Sequence, residues 1–130
     1  MPYHFEFDAE HGILLLAYEG DVQGDEIEQA TDAMGQHIAR LNPSGGIADL
    51  SAVKTLDVPS DTLRWVALQA SPYPDETPRF IVAPTDYLFG MSRMYQIVAN
   101  RPHEKLRVVR SREEALAALG VHDPKFERIE

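Results

Sequence analysis

The chain has no cysteine. That excludes disulfides, thiolate metal sites and a cysteine nucleophile, and it fits a reducing compartment. Long apolar runs are missing too. The longest, Ile13 to Tyr18, falls far short of the roughly 20 residues that a membrane-crossing helix needs. The opening residues, MPYHFEFDAEHG, have no basic start followed by an apolar stretch, so no secretory signal is read there. These absences lead to the expectation of a cytoplasmic protein with no integral membrane segment.

Positive charge is scarce. Twelve Lys and Arg stand against 21 Asp and Glu, for a net charge of −9. General nucleic-acid binding is not expected, because phosphate contacts need clustered Lys and Arg. The charge is also uneven: residues 1–61 sum to −10 and residues 79–112 to +5. The plain reading is solvated surface. The sharper one is a dipolar molecule whose basic side meets an acidic partner.

Signatures of catalysis are lacking as well. Gly45-Gly46 precedes a strand instead of opening a helix, so it lacks the setting of a phosphate loop. His4, His11, His37, His103 and His122 share no metal-ligand spacing with a second ligand. There is no G-x-S-x-G, and no Ser, His and acid fall together on strand ends. A phosphoacceptor receiver would want a Lys after its last strand, where Arg110-Ser111 stands. The expectation is no enzyme, no cofactor and no metal site.

What is present is an ordinary globular composition, 44% hydrophobic and 25% charged over 130 residues, enough for one domain with one core. Tyr3 to Phe7 alternates apolar and polar, which suits a strand with one wet face. A turn at Glu10-His11-Gly12 leads into the more central run Ile13 to Tyr18, and the two should form a hairpin. Asp25 opens a helix with Glu28 as its capping-box partner, and Ile27, Ala30, Thr31, Met34, Ile38 and Leu41 fall on one face. Gly46 to Leu50 reads as a short strand and Ser51 to Pro59 as a loop. Ser60 or Asp61 caps the next helix, to about Ala70, and the proline-rich 71–78 crosses as a loop. Phe80 to Ala83 is a buried strand. Thr85 or Asp86 caps a third helix, to about Asn100, which Arg101-Pro102-His103 breaks. Leu106 to Val109 is the last strand. Ser111 with Glu114 boxes a short helix that Gly120 stops. The order β-β-α-β-α-β-α-β-α implies a single α/β domain over residues 1–120 with a mixed sheet and right-handed crossovers. Residues 121–130 read as a loosely held tail.

Ligands of open α/β sheets bind beyond the carboxyl ends of the strands. That edge includes Asp49, Ser51, Asp57 and Ser60, which could equally bond to turn and helix-start amides. Ser60 and Thr62 stand at a helix start, where a phosphoryl group would be accommodated. The segment from Tyr87 to Ala99 has apolar residues, among them Met91 and Met94, on more than one helical face. It is either an ordinary core helix or one that buries a second face against a partner or ligand. Gly90 would allow close backbone approach there, and Arg93 lies on the polar side, where it pairs with an anion or with water.

The run DLSAVKTLDVPSDTL from Asp49 resembles the strand-loop-helix of STAS domains, the sulfate-transporter and anti-sigma-factor-antagonist family, and most of all its SpoIIAA-like branch. Gly90-Met91-Ser92-Arg93-Met94 is similar to a Gly-Met-x-Arg-Met run of that branch, and Ser111 to Ala115 to its S-x-E-E-A. The resemblance covers about residues 3 to 120. It implies a non-enzymatic module, in some members switched by phosphorylation of a serine at the start of the second helix. Here Asp57-Val58-Pro59-Ser60-Asp61 stands in place of Asp-Ser-Ser-Gly, so Ser60 is displaced from that position. The expectation is a bacterial binding or regulatory module. A protein partner or second copy would meet the 51–60 loop and the 87–99 helix, through Asp49, Ser51, Asp57, Gly90, Arg93 and Met94. The alternative is a small apolar ligand or lipid, held between the Trp65 helix and the Met91 helix.

Overall fold

The computed structural model describes residues 2–69, 71–99, 101 and 105–130. The helix ends expected at Ala70 and Asn100 and the break at Pro102-His103 lie outside these. Strands β1 (Tyr3–Asp8) and β2 (Ile13–Gln23) form the antiparallel hairpin, in register from Tyr3↔Tyr18 to Asp8↔Ile13. The turn closes because the Asp8 carboxylate accepts from the amides of Glu10 and His11, at 3.0 and 3.2 Å. Gly12, at φ +73°, returns its own amide to the Asp8 carbonyl at 2.7 Å.

Helix α1 (Gly24–Leu41) leads to β3 (Gly45–Asp57), α2 (Ser60–Leu68), β4 (Arg79–Val82), α3 (Asp86–Ala99), β5 (Leu106–Val109), α4 (Arg112–Leu119) and β6 (Glu127–Ile129). The sheet order is β5-β4-β3-β2-β1-β6, parallel from β2 through β5 and antiparallel on both sides of β1. Each of the three crossovers steps to the next strand in the same direction. Right-handed connection therefore puts α1, α2 and α3 on one face. The apolar run of β2 is buried on both sides. Leu14, Leu16 and Tyr18 join the core under α1–α3, while Ile13 and Leu15 join a second core with Ala115 of α4 and Val121.

Several boundaries differ from the sequence reading. The largest is β3, which does not stop at Leu50. Ser51 to Asp57 continues as strand, because β2 also runs on and supplies a ladder as far as Gln23↔Asp57. The continuation is irregular, with register shifts between Ala17 and Glu19 and between Gly20 and Asp21. Thr55 fastens it by donating to Asp21 at 2.6 Å. So the expected 51–60 loop is mostly a parallel ribbon beyond the body of the sheet. The capping box of α1 uses Gln23 and Glu26 in place of Asp25 and Glu28, with the Gln23 amide on Glu26 Oε1 at 2.8 Å. Pro59 occupies the cap position of α2 without a side-chain bond, so neither Ser60 nor Asp61 caps it. Thr85 does cap α3, accepting from the Leu88 amide at 3.2 Å. Ser111 caps α4, and Gly120 ends it in the left-handed region at φ +72°. The C-terminal residues are not a loose tail. Val121 is buried, Phe126 packs on the second core, and β6 pairs with β1 from Phe7↔Glu127 to Phe5↔Ile129.

Candidate functional site

The polar residues of the Asp49 stretch do not converge. Asp49 is buried near the end of the sheet body, and both of its oxygens are occupied. Oδ2 accepts from Arg112 Nη2 at 2.6 Å and Nε at 2.8 Å. Oδ1 accepts from the Ser51 amide at 2.9 Å and the Ser51 hydroxyl at 2.5 Å. With Ile47 two residues earlier in the second core, Asp49 faces α4, away from α1–α3. It ties α4 to β3. Asp57 is exposed at the far end of the ribbon and Ser60 is exposed at the start of α2. Thr62 is half-buried, its methyl lying where a side chain on Gly24 would go.

Between the sheet and α1–α3 lies a cavity of about 180 Å³. Leu16, Tyr18, Leu50 and Ile81 form its floor. Ile27 and Met34 of α1, Leu63 and Val66 of α2, and Met91 and Ser92 of α3 form its walls and roof. The cavity exists because α2 packs against α3 and α1 more than against the strands. Three phenols contribute to the lining, those of Tyr18, Tyr73 and Tyr95. Burial pushes the Tyr18 hydroxyl up from its usual range, and the neighbouring Tyr95 and Tyr3 add to this. Burial likewise raises Tyr73, partly opposed by Arg79. The Tyr18 and Tyr73 phenols are therefore neutral. Tyr73 closes one end: its ring lies against Gly46, where an added Cβ would meet the Tyr73 hydroxyl. The Arg79 guanidinium is stacked 5.3 Å from the Tyr73 ring centre and donates to the Ser71 hydroxyl.

This arrangement can enclose a small apolar body. Among the described residues, its lining includes no carboxylate and no imidazole. Among the described residues, no group of three or more His, Cys, Asp or Glu is placed to hold a metal ion.

The other sequence candidates lie outside the cavity. Trp65 is 52% exposed, and Leu68 on the same helix is 64% exposed. On α3, Tyr87, Gly90, Met94 and Ile97 follow a helical stripe open to solvent, with Ile97 69% exposed. So Met91 points into the cavity while Met94 points out, which matches a helix with two apolar faces. Arg93 is exposed, 3.3 Å from Gln96 Oε1. The β3 ribbon and α3 do meet: the Tyr87 hydroxyl donates to the Leu56 carbonyl at 3.2 Å. The lining residues Tyr18, Val66, Tyr73 and Ser92 were missed by the sequence reading. Each looks like core when taken alone, and only the spacing of α2 from the sheet distinguishes them.

No protein-family model matches the chain, and comparison with the curated proteins finds no match. Among the described residues, no helix is long and apolar enough to cross a membrane. The fold and the site define a single-domain α/β protein with a mixed six-stranded sheet and an apolar cavity under three helices.

Proposed function

We propose that the chain is a non-enzymatic binding domain of STAS, SpoIIAA-like type, working in a bacterial cytoplasm and holding a small apolar ligand between the sheet and α1–α3. The observation that supports this is the cavity itself, mostly apolar in lining and, among the described residues, without a carboxylate or imidazole. Its volume of about 180 Å³ compares with the roughly 150 Å³ of an engineered apolar cavity that admits benzene. The test is native mass spectrometry of freshly purified protein, beside Val66→Phe, which fills the space from α2. A bound small molecule in the wild type that is lost in the folded variant is the expected result. A bare wild-type mass, together with no binding of an added hydrocarbon such as ethylbenzene, refutes the reading.

A second reading is favoured by the outer stripe. Tyr87, Met94 and Ile97 form an exposed apolar stripe on α3, and Tyr87 reaches the β3 ribbon. A protein partner or second copy seated there would bury it. Ile97→Lys should then abolish co-purification of that partner, or convert a dimer to a monomer in sedimentation, with ligand binding unchanged. Phosphorylation of Ser60 or Thr62 would act on both readings, since α2 roofs the cavity and borders the stripe. Intact mass after incubation with lysate and ATP tests it, and an unchanged mass removes it.

A further inference from the structure

The cavity is not uniformly apolar, and its polar atoms describe what it takes. Tyr18 rises from the floor and Ser92 comes down from α3; each is 6% exposed and lines the cavity. Among the described residues, neither hydroxyl makes a hydrogen bond. Both side chains are largely buried, yet neither hydroxyl is among the fully buried polar atoms that lack a partner, so each keeps open surface and is free to bond to what enters the cavity. A serine in this part of a helix commonly bonds back to the carbonyl one turn earlier, and Ser92 does not.

Resting on the ligand-carrying reading, we infer that the ligand is a compact uncharged molecule, close in size to a substituted benzene, whose oxygen acceptors are hydrogen-bonded by Tyr18 and Ser92. Size follows from the cavity volume. The absence of charge follows from the lining. It offers no carboxylate to a cation. Its one guanidinium, Arg79, lies at the Tyr73 end, stacked on that ring and bonded to Ser71. A neutral phenol donates through its O–H, which suits a carbonyl or ether oxygen, and the lining has no carboxylate to balance an ammonium.

The test is an NMR titration of the full chain with three probes of similar size: acetophenone, ethylbenzene and benzoate. It is repeated on the double variant Tyr18→Phe/Ser92→Ala. In the wild type, acetophenone gains hydrogen bonds that ethylbenzene cannot make. The ratio of their dissociation constants should shift against acetophenone by about 3- to 10-fold in the double variant. Comparing ratios cancels the different hydrophobicity of the two probes. An unchanged ratio overturns the hydroxyl assignment and leaves the ligand-carrying reading intact. Binding of neither probe overturns both. Tighter binding of benzoate than of acetophenone overturns the claim of an uncharged ligand. The ligand-free double variant should melt no lower than the wild type. A lower melting temperature assigns the hydroxyls to folding and overturns the inference.

Discussion

Asp49 is the residue whose sequence context promised most and whose surroundings explain it most simply. A carboxylate at the end of a parallel strand is where α/β folds put chemistry. It is also where a helix on the far face needs an anchor, and Arg112 and Ser51 use all the hydrogen-bonding capacity this carboxylate offers. Asp49→Ala removes that anchor and strands the guanidinium beside β3. The expected loss is about 2 kcal/mol in urea unfolding, less than a fully buried pair would cost because Arg112 is 38% exposed. Since Asp49 faces α4 and the cavity lies on the opposite face, probe affinity should stay within about twofold of wild type. A large loss of binding with unchanged stability would mean that Asp49 acts on the ligand. Gly46 shows the converse, a residue with little sequence signal and a firm structural role: any side chain there collides with Tyr73 and opens the end of the cavity.

Elements were legible where their signals are local. β5 spans the residues its apolar run marks, and α4 sits between its capping serine and its left-handed glycine. What stayed hidden depends on partners distant in sequence. Ser51 to Asp57 has weak alternation and becomes strand only because Glu19 to Gln23 lies alongside, itself disguised by Gly20. β6 is three residues long, with no period to read, and exists through its pairing with β1. The cavity was legible only as the expectation of an apolar ligand between the Trp65 helix and the Met91 helix, since it is made by seven elements at once. The β6 segment has a measurable role. Removing residues 124–130 deletes Phe126 from the second core and the Lys125 amide contact to Asp8, and leaves β1 as an open edge. The melting temperature should fall by about 5–10 °C, and self-association should rise in sedimentation. A dispensable tail would change neither.

At the scale of the whole molecule, part of the basic stretch is engaged by contacts within the chain. In the basic stretch, Arg110 pairs with Asp86 and stacks on Phe89, Arg112 holds Asp49, and Arg107 lies over Phe80. These contacts weaken the picture of a free basic face waiting for an acidic partner. Two other groups make the fold sensitive to acid. His37 of α1 is buried against Phe5 with ring centres 4.6 Å apart, and its Nδ1 accepts from Arg40 Nη2 at 2.9 Å, so the imidazole is neutral. Burial lowers its pKa, and the Arg40 charge lowers it further. At Asp8 burial pushes the carboxyl up, but hydrogen bonds from the His11 ring and from the His11 and Lys125 amides outweigh it and hold the group below its usual range. In both cases the folded pKa lies below the unfolded one. The stability each contributes is therefore present above the unfolded pKa and is lost as pH falls through the folded value. The His37 contribution should begin to fade below about pH 6.5, and that of Asp8 only below about pH 4. Urea midpoints measured from pH 8 to pH 3 for wild type and His37→Gln separate the two. The glutamine oxygen can still accept from Arg40 but does not titrate. The difference between the proteins should be constant above pH 7 and shift in favour of the variant between about pH 6.5 and 5, while both decline together below about pH 4. Parallel profiles across the whole range would mean that His37 titrates in the fold as it does in the unfolded chain, and that α1 docks without regard to its charge.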